Sequence, residues 1–446
     1  MKRIASLDLD DNTSVWADVA RPAEPLPPLQ GDVTADVAII GAGFTGVSTA
    51  YHLARRFPGR RVVVLEAKRI GNGASGRNGG MALNWINGVV THSAERARRV
   101  FSVTRGGLDW IEQVIREHSL GVRFDRIGCL EAYTDARRAE EAHQRAETLA
   151  SFGLPIRYLA GEELRRLVRA EGFAGAVLDP TSGQLNGLDF LRALAPVVRG
   201  LGVEIYEQTP VVRVEEGRTH VLTTPGGTVR AAAMVVATNG YSGRLGYFRT
   251  GVCPLHSHVI ATEPLPPERW AELGWSGSAG FTDDLDRIAY ASMTPDGRLV
   301  FGGGGNGAYS YRWGSRTSWP AGPAAQHEYV RGVLTRYFPG VRDVRITHRW
   351  TGTLGMTLSR VCAMGVTGEH RNVLYALGYS GHGVVLANLA GQVLCDLYSD
   401  HHEPWRDLPF YHAVPGGIPG EPLRWLGYQA YTRFTGRSPR RHEAPI

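Results

Sequence analysis

The apolar run Val37-Ala38-Ile39-Ile40 leads directly into the turn GAGFTG, after which apolar residues recur at Val47, Ala50, Tyr51, Leu53 and Ala54. The first run is short and continuous, as in a strand buried on both faces. The second keeps the spacing of a helix with one apolar side. FPGRR supplies a proline-glycine stop, and a second apolar strand runs from Arg61 to Leu65. Helical periodicity returns over 94–118, 136–151, 161–169 and 188–200, and again over 322–338 before a Pro-Gly pair. Between about 203 and 305 the pattern is one of short strands, such as THVLTT, SHVIATEPL, IAYASM and RLVFGGG. Further on, NVLYALGYSGHGVVLANLAGQVLCDLYSD repeats the strand, glycine turn and helix of the first unit.

This alternation predicts an α/β protein. The opening βαβ unit has the form of a Rossmann-like nucleotide-binding domain, and the matching turn near the far end makes that domain discontinuous. The predicted division gives it residues 36–95, 170–248 and 345–446. Residues 96–169 and 249–344 then build an interleaved second domain, a mixed or antiparallel β-sheet with helices. Residues 1–35 read as an extended, proline-rich lead-in, in which RPAEPLPPLQGD is not expected to hold a helix.

Composition narrows the function classes. A chain of 446 residues suits two domains. The net charge of +6 comes almost wholly from arginine, since lysine occurs only at Lys2 and Lys68. The arginines are interspersed with acids, so no basic arm or stripe points to a nucleic-acid partner. No apolar run reaches the ~18–20 residues of a membrane span. MKRIASLDLDDNTSVW lacks the apolar centre of a signal peptide, which predicts a cytoplasmic protein. Cys129, Cys253, Cys362 and Cys395 stand far apart with no CxxC pair, predicting neither a metal site nor disulfides.

The first turn carries chemistry. Gly41, Gly43 and Gly46 form GxGxxG between a strand and a helix, the context that gives this pattern meaning. A helix start presents free N–H groups and partial positive charge to a pyrophosphate. Glu66 ends the second strand 20 residues beyond Gly46, where a carboxylate accepts from both hydroxyls of an adenosine ribose. These features do not separate NAD from FAD. The stretch GASGRNGGMALNW, residues 73–85, follows at once. Its glycines lose more freedom on folding than any other residue type. Such a cluster suits either a plain loop or a backbone lying against something flat.

GAGFTG, LEAKRIGNGASGRNGG and GYSGHGV, in that order, resemble the D-amino-acid-oxidase family of FAD-dependent amine and amino-acid oxidoreductases. Within it, SVW…LQGDVTADVAIIGAG, RWTGTLGMTLSR and GYSGHG are most similar to the γ-glutamylputrescine oxidoreductase-like branch. The resemblance covers nearly the whole chain. It implies a FAD-binding Rossmann-like domain interleaved with a β-sheet substrate domain, the adenosine near Glu66 and the flavin ring near the domain boundary.

The cofactor residues follow position by position. Gly41, Gly43, Phe44, Thr45 and Gly46 lie at the first turn, with Glu66 and Ala67 after the second strand. Ser75, Arg77, Asn78, Gly79, Gly80 and Met81 follow the ribityl chain and ring. Val211 meets the adenine edge, and Ala237, Thr238 and Gly240 pass the pyrophosphate. Gly378, Ser380, Gly381, His382, Gly383 and Val384 open a helix toward the ring, where its N-terminus stabilises the charge of reduced flavin.

The implied reaction is oxidation of a CH–NH bond in a primary or secondary amine or amino-acid derivative. Hydride passes to flavin, and the imine is hydrolysed to an aldehyde or oxo product. With O2 as acceptor the second product is H2O2. The alternatives are a dehydrogenase that uses an electron carrier, or a flavoprotein subunit without turnover of its own.

The departures from relatives are informative. Sarcosine oxidases attach FAD through a cysteine in the region of TGTLGM, and Cys362 lies beyond it, so the implied flavin is non-covalent. Their lysine after GHG plus one residue, which grips the substrate carboxylate, is replaced by Val385. This favours an amine, or a substrate whose carboxylate sits further away. No lysine follows Lys68, so the substrate domain lacks one to activate oxygen.

His258, Arg287, Tyr290 and Tyr309 are the substrate-side candidates, and Trp350 and Tyr379 the candidate aromatic walls. PLRWLGYQAYTRFTGR has aromatic and basic faces at helical spacing, for docking onto the protein's own body or onto a membrane surface. Sequence leaves the oligomeric state open.

Overall fold

The computed structural model describes residues 2–3, 8–9, 13–89, 92–275, 280–319 and 324–435. Its helices are α1 (Trp16–Val19), α2 (Phe44–Arg56), α3 (Ala94–Glu117), α4 (Ala136–Ser151), α5 (Gly161–Leu167), α6 (Gly187–Gly200), α7 (Pro267–Glu272), α8 (Ala325–Tyr337), α9 (Gly383–Tyr398) and α10 (Leu423–Thr435). No helix of the described residues is long and apolar enough to cross a membrane.

Two nine-stranded sheets carry these helices. The first sheet is built on β1 (Val33–Ile40), β2 (Val62–Leu65), β5 (Glu204–Tyr206), β6 (Gly227–Val236) and β12 (Val373–Leu377), all paired in parallel. Val37, Ile39, Val62, Val64 and Val235 are fully buried in a core they share with α2, α6 and α9, as the continuous apolar runs require. The second sheet contains β3 (Cys129–Tyr133), β4 (Gly175–Asp179), β7 (Cys253–Pro264), β8 (Gly280–Asp283), β9 (Ala289–Met293), β10 (Arg298–Gly303) and β11 (Ile346–Met356). It is antiparallel except where β8 runs parallel to β3.

The division of the chain differs from the one the sequence predicts in three places. Val100, Leu108 and Ile111 of α3 belong to the same core as α2 and α9, while its Ala97 and Phe101 pack with Tyr133 and Val177 of the second sheet, so this helix is shared by the two domains. β4 pairs with β3, and β11 pairs with β7 along its length, so both lie in the second sheet. Helices and strands are visible in local periodicity, whereas the partner of a strand is a long-range choice that periodicity leaves open. The lead-in also differs, because it contains α1 and delivers a buried Trp16.

The strands of the second sheet are rigidly joined near the domain boundary. β8 ends at the fully buried Asp283, whose carboxylate accepts from the N–H groups of Leu285 (3.2 Å) and Ala289 (2.8 Å) and from the Tyr337 hydroxyl (2.9 Å). Burial pushes this carboxyl up to about 7 from 3.8, against those hydrogen bonds. The folded chain therefore holds a proton that the unfolded chain releases, and the resulting stabilisation is lost as pH rises through about 7. Urea melts of the wild type and Asp283→Asn across this range are expected to show the wild type losing ground between pH 3.8 and about 7. A pH-independent difference would show a carboxyl ionised throughout.

Candidate active site

A single elongated cleft runs from the C-terminal ends of the parallel strands to the face of the second sheet. Ligands bind outside the carboxyl ends of such strands because the turns there expose helix N-termini. At one end, β1 stops at Ile40, Gly41 turns at φ 103°, and α2 starts after Gly43. A Cβ on Gly46 would stand 1.9 Å from the Gly41 carbonyl oxygen, so glycine alone lets α2 pack on this turn. Glu66 accepts from the N–H groups of Ala42 (2.8 Å) and Lys68 (2.9 Å). Desolvation raises its carboxyl and these two bonds oppose the rise. Ala67, Val211, Ala237 and Thr238 line the same end.

Residues 73–81 form the middle of the cleft. Four successive carbonyls of this loop are held by side chains from elsewhere. Ser14 donates to the Gly76 oxygen (2.5 Å), Trp350 to that of Arg77 (3.0 Å), Trp16 to that of Asn78 (2.7 Å) and Ser292 to that of Gly79 (2.5 Å). Asn78 adds an internal brace, donating to the Ser75 oxygen (2.8 Å) and accepting from the Gly80 N–H (2.7 Å). The backbone is thus fixed in shape by the lead-in on one side and the second sheet on the other.

Two helix N-termini converge on the cleft, with Gly43, Phe44 and Thr45 from α2 and Gly381, His382, Gly383 and Val384 from α9 among its walls. Thr45 and Tyr379 share a buried hydrogen bond of 2.7 Å that ties the two helix starts together. The turn before α9 is held by Asn239, which accepts from the Gly378 N–H (2.9 Å), and by Gly355, whose carbonyl accepts from the Ser380 N–H (3.1 Å). Both dipoles place positive potential where an anion or a developing negative charge would lie.

The wall facing the loop comes from the second sheet. Tyr290 lies between two glycines, since a Cβ on Gly79 or Gly302 would come within 2.7 or 2.3 Å of its side chain. Its hydroxyl shares a bond with Ser257 (2.9 Å), and burial pushes the phenol up to about 12. Tyr309 donates to the Ile288 oxygen (2.9 Å) and is likewise pushed up by burial. Both phenols stay neutral at any physiological pH.

The cleft gathers most of the predicted cofactor residues, namely Gly41, Gly43, Phe44, Thr45, Glu66, Ala67, Ser75, Arg77, Asn78, Gly79, Met81, Val211, Ala237, Thr238, Ser380, Gly381, His382, Gly383 and Val384. Gly46, Gly80, Gly240 and Gly378 are not among its lining residues and shape the backbone behind it. Tyr290, Tyr309 and Tyr379 line it, whereas His258, Arg287 and Trp350 do not.

His258 alternates with Ser257 along β7 and so faces the opposite way. It meets Thr351 (2.9 Å) and Ser310 (3.0 Å), and burial lowers it to about 3. Trp350 braces the loop instead of walling the cleft. Val385 packs toward Gly107 of α3, on the far side of its helix. Cys362 is buried and also lies outside the lining.

The sequence missed Asp8, Leu9, Ser257, Thr317 and Thr353, all of which line the cleft. Asp8 accepts from the Thr317 N–H (3.2 Å) and from Ser318. Only Thr353 had a signal, since it stands in the block RWTGTLGMTLSR.

The order of groups fits an extended flavin dinucleotide: a carboxylate at a ribose position, two helix starts, then a braced glycine loop. The space a Cβ on Gly381 would occupy is open, so backbone faces the cleft there without a screen. Fold and cleft are together those of a dinucleotide-dependent oxidoreductase. A family model described as "DAO: FAD dependent oxidoreductase" matches residues 36–397. γ-Glutamylputrescine oxidoreductase of Escherichia coli (strain K12) is 30% identical over 419 residues, which are 92% of this chain and 94% of that protein. Glycine oxidase of Geobacillus kaustophilus is 26% identical across 84% of this chain and 96% of its own length. The crystal structure of glycine oxidase from Geobacillus kaustophilus shares the fold, with a TM-score of 0.73 at 22% identity over 86% of this chain and 100% of that one. The chain belongs to the DAO family of FAD-dependent oxidoreductases, in the γ-glutamylputrescine oxidoreductase branch, and acts on CH–NH donors of amines or amino acids.

The Tyr290 sandwich generates a test. Gly302→Ala is expected to force the ring out of place and to cost about 1–3 kcal/mol, as overpacking does. Thermal unfolding checks the stability, and a melting temperature equal to that of the wild type would show that Tyr290 has room to move.

Proposed function

We propose that the protein oxidises the CH–NH bond of a primary or secondary amine or an amino-acid derivative, with Tyr290, Tyr309 and Ser257 orienting the substrate. The observation that carries this reading is the neutral wall opposite the glycine loop. An amine must present an uncharged nitrogen and a C–H bond, and buried phenols and hydroxyls supply hydrogen bonds without a charge that would favour ammonium. FAD held in the cleft would supply the acceptor for the hydride on the carbon bearing that nitrogen, and water would hydrolyse the imine product. The chain's own residues bind and orient, and the helix starts at Gly43 and Gly381–Val384 supply positive potential beside the loop.

No acid or base is assigned to proton transfer. Glu66 lies at the nucleotide end, and Asp8 is engaged by Thr317 and Ser318. Likeness to γ-glutamylputrescine oxidoreductase supports an ω-amine with a polar remainder. Reoxidation by O2 gives H2O2. A carrier-linked dehydrogenase is the second reading, favoured because no lysine is among the residues lining the cleft.

Anaerobic mixing with a panel of amines and amino acids is expected to bleach the flavin, and admitting air to restore it with H2O2. If no CH–NH donor bleaches it, the proposed function is wrong. Rapid bleaching with slow recovery in air favours the carrier. The flavin is held without a covalent bond, in keeping with the absence of all four cysteines from the cleft lining. Acid precipitation should therefore leave the yellow colour in the supernatant, whereas a coloured pellet would show attachment.

A further inference from the structure

Pinning the carbonyls of Gly76, Arg77, Asn78 and Gly79 also decides where the N–H groups of the same peptides point. These peptides are trans, and a planar trans peptide carries its N–H opposite its C=O. Four carbonyls held by outside donors therefore turn the N–H groups of Arg77, Asn78, Gly79 and Gly80 away from those donors. The outer two are used inside the loop. The Arg77 N–H donates to the Ala74 oxygen (3.2 Å) and the Gly80 N–H to the Asn78 side-chain oxygen (2.7 Å). The inner two, on Asn78 and Gly79, have no hydrogen-bond partner among the described residues, and both residues line the cleft.

This division follows the kind of donor behind each peptide. The outer peptides are held by hydroxyls, Ser14 on the Gly76 oxygen and Ser292 on that of Gly79. The inner peptides are held by indoles, Trp350 on the Arg77 oxygen and Trp16 on that of Asn78. An indole N–H can only donate, whereas a hydroxyl accepts as readily as it donates. A peptide that turned over would set its own N–H against the indole and leave two buried donors unpaired. Against a serine the same turn costs no such conflict. Trp16 and Trp350 come from opposite ends of the chain, yet both are buried in one cluster with Tyr290, Val259 and Val300. Neither indole lines the cleft, so each reaches it only through the backbone.

We propose that Trp16 and Trp350 are positioning residues that set the reduction potential of the bound flavin, by locking two adjacent peptides with their N–H groups toward the ring. Successive N–H dipoles fixed on one wall favour the electron-rich, reduced form of a ring beside them. The serine-held peptides, whose N–H groups are already engaged, contribute shape alone. The inference goes beyond amine oxidation and concerns electron uptake by FAD whichever donor supplies the hydride, so its failure leaves the proposed reaction untouched.

The test is anaerobic reductive titration of the holoenzyme against a reference dye, in the wild type, Trp16→Phe, Trp350→Phe, Ser14→Ala and Ser292→Ala. Each Trp→Phe change is expected to shift the equilibrium ~10-fold toward oxidised flavin, as for one hydrogen bond to a developing charge. For a two-electron couple that is a potential lower by about 30 mV. Both serine variants are expected to keep the wild-type potential, although each loses a carbonyl bond of the same loop. Sulfite, which adds to oxidised flavin as a two-electron donor, gives a second reading, with weaker binding expected in the indole variants only. A wild-type potential in both indole variants at full flavin content would overturn the proposal. A serine variant that shifts as far as the indole variants would also overturn it, by showing that a loosened loop is enough. Should the fully buried Trp350 not tolerate replacement, Trp16→Phe set against the two serine variants decides the matter.

Discussion

The hydrogen bonds that fix the carbonyls of Gly76, Arg77, Asn78 and Gly79 are the constraint on which the site depends. A loop this rich in glycine has many conformations of similar energy, and a flat ligand can be recognised only if one of them is selected beforehand. Four donors from four distant side chains make that selection. Each net bond is worth about 0.5–1.5 kcal/mol. Together they oppose an ordering cost of about 1–2 kcal/mol per residue. The donors also explain the domain arrangement, because the loop belongs to the first domain and Trp350 and Ser292 belong to the second sheet. The same bonds that shape the loop hold the two domains at a set distance across the cleft.

The electrostatic character of the cleft follows from what surrounds that loop. Helix starts bring positive potential without a titrating group, and the opposite wall is built from phenols and hydroxyls that burial keeps neutral. The two histidines of β7 follow this rule too, with His256 lowered to about 4 and His258 to about 3 by burial. The chemistry is thereby left to a cofactor, while the protein contributes shape and fixed dipoles.

Much of this was legible in the sequence. GAGFTG, Glu66 and GYSGHGV each lie where strand and helix periodicities meet, so local pattern was enough to place them on turns facing one cleft. The expected helices at 136–151 and 188–200 are α4 and α6 to within a residue. The substrate side was harder. β7 is buried on both faces from Pro254 to Thr262, so polarity does not alternate and nothing tells Ser257 from His258. Arg287 was expected on the substrate side and Trp350 as an aromatic wall, yet neither lines the cleft, because their directions depend on α10 and on the loop at 73–81, which are far away in the chain. Proline density hid α1, whose few residues are held by tertiary contacts with no help from helix propensity.

The clamp also sets an order of events during synthesis. Its donors lie 62 residues before the loop and 213 and 273 residues after it. When the ribosome has made the βαβ unit and the glycine loop, the lead-in is at hand but most of the second sheet does not yet exist. Such distant closures form late, since chain entropy must be overcome before they are rewarded. The βαβ unit can therefore form early, but the nucleotide end still awaits Val211, Ala237 and Thr238, and the slot for a flat ring is completed only after β11 docks. Cofactor capture becomes a report that the last domain crossing has closed.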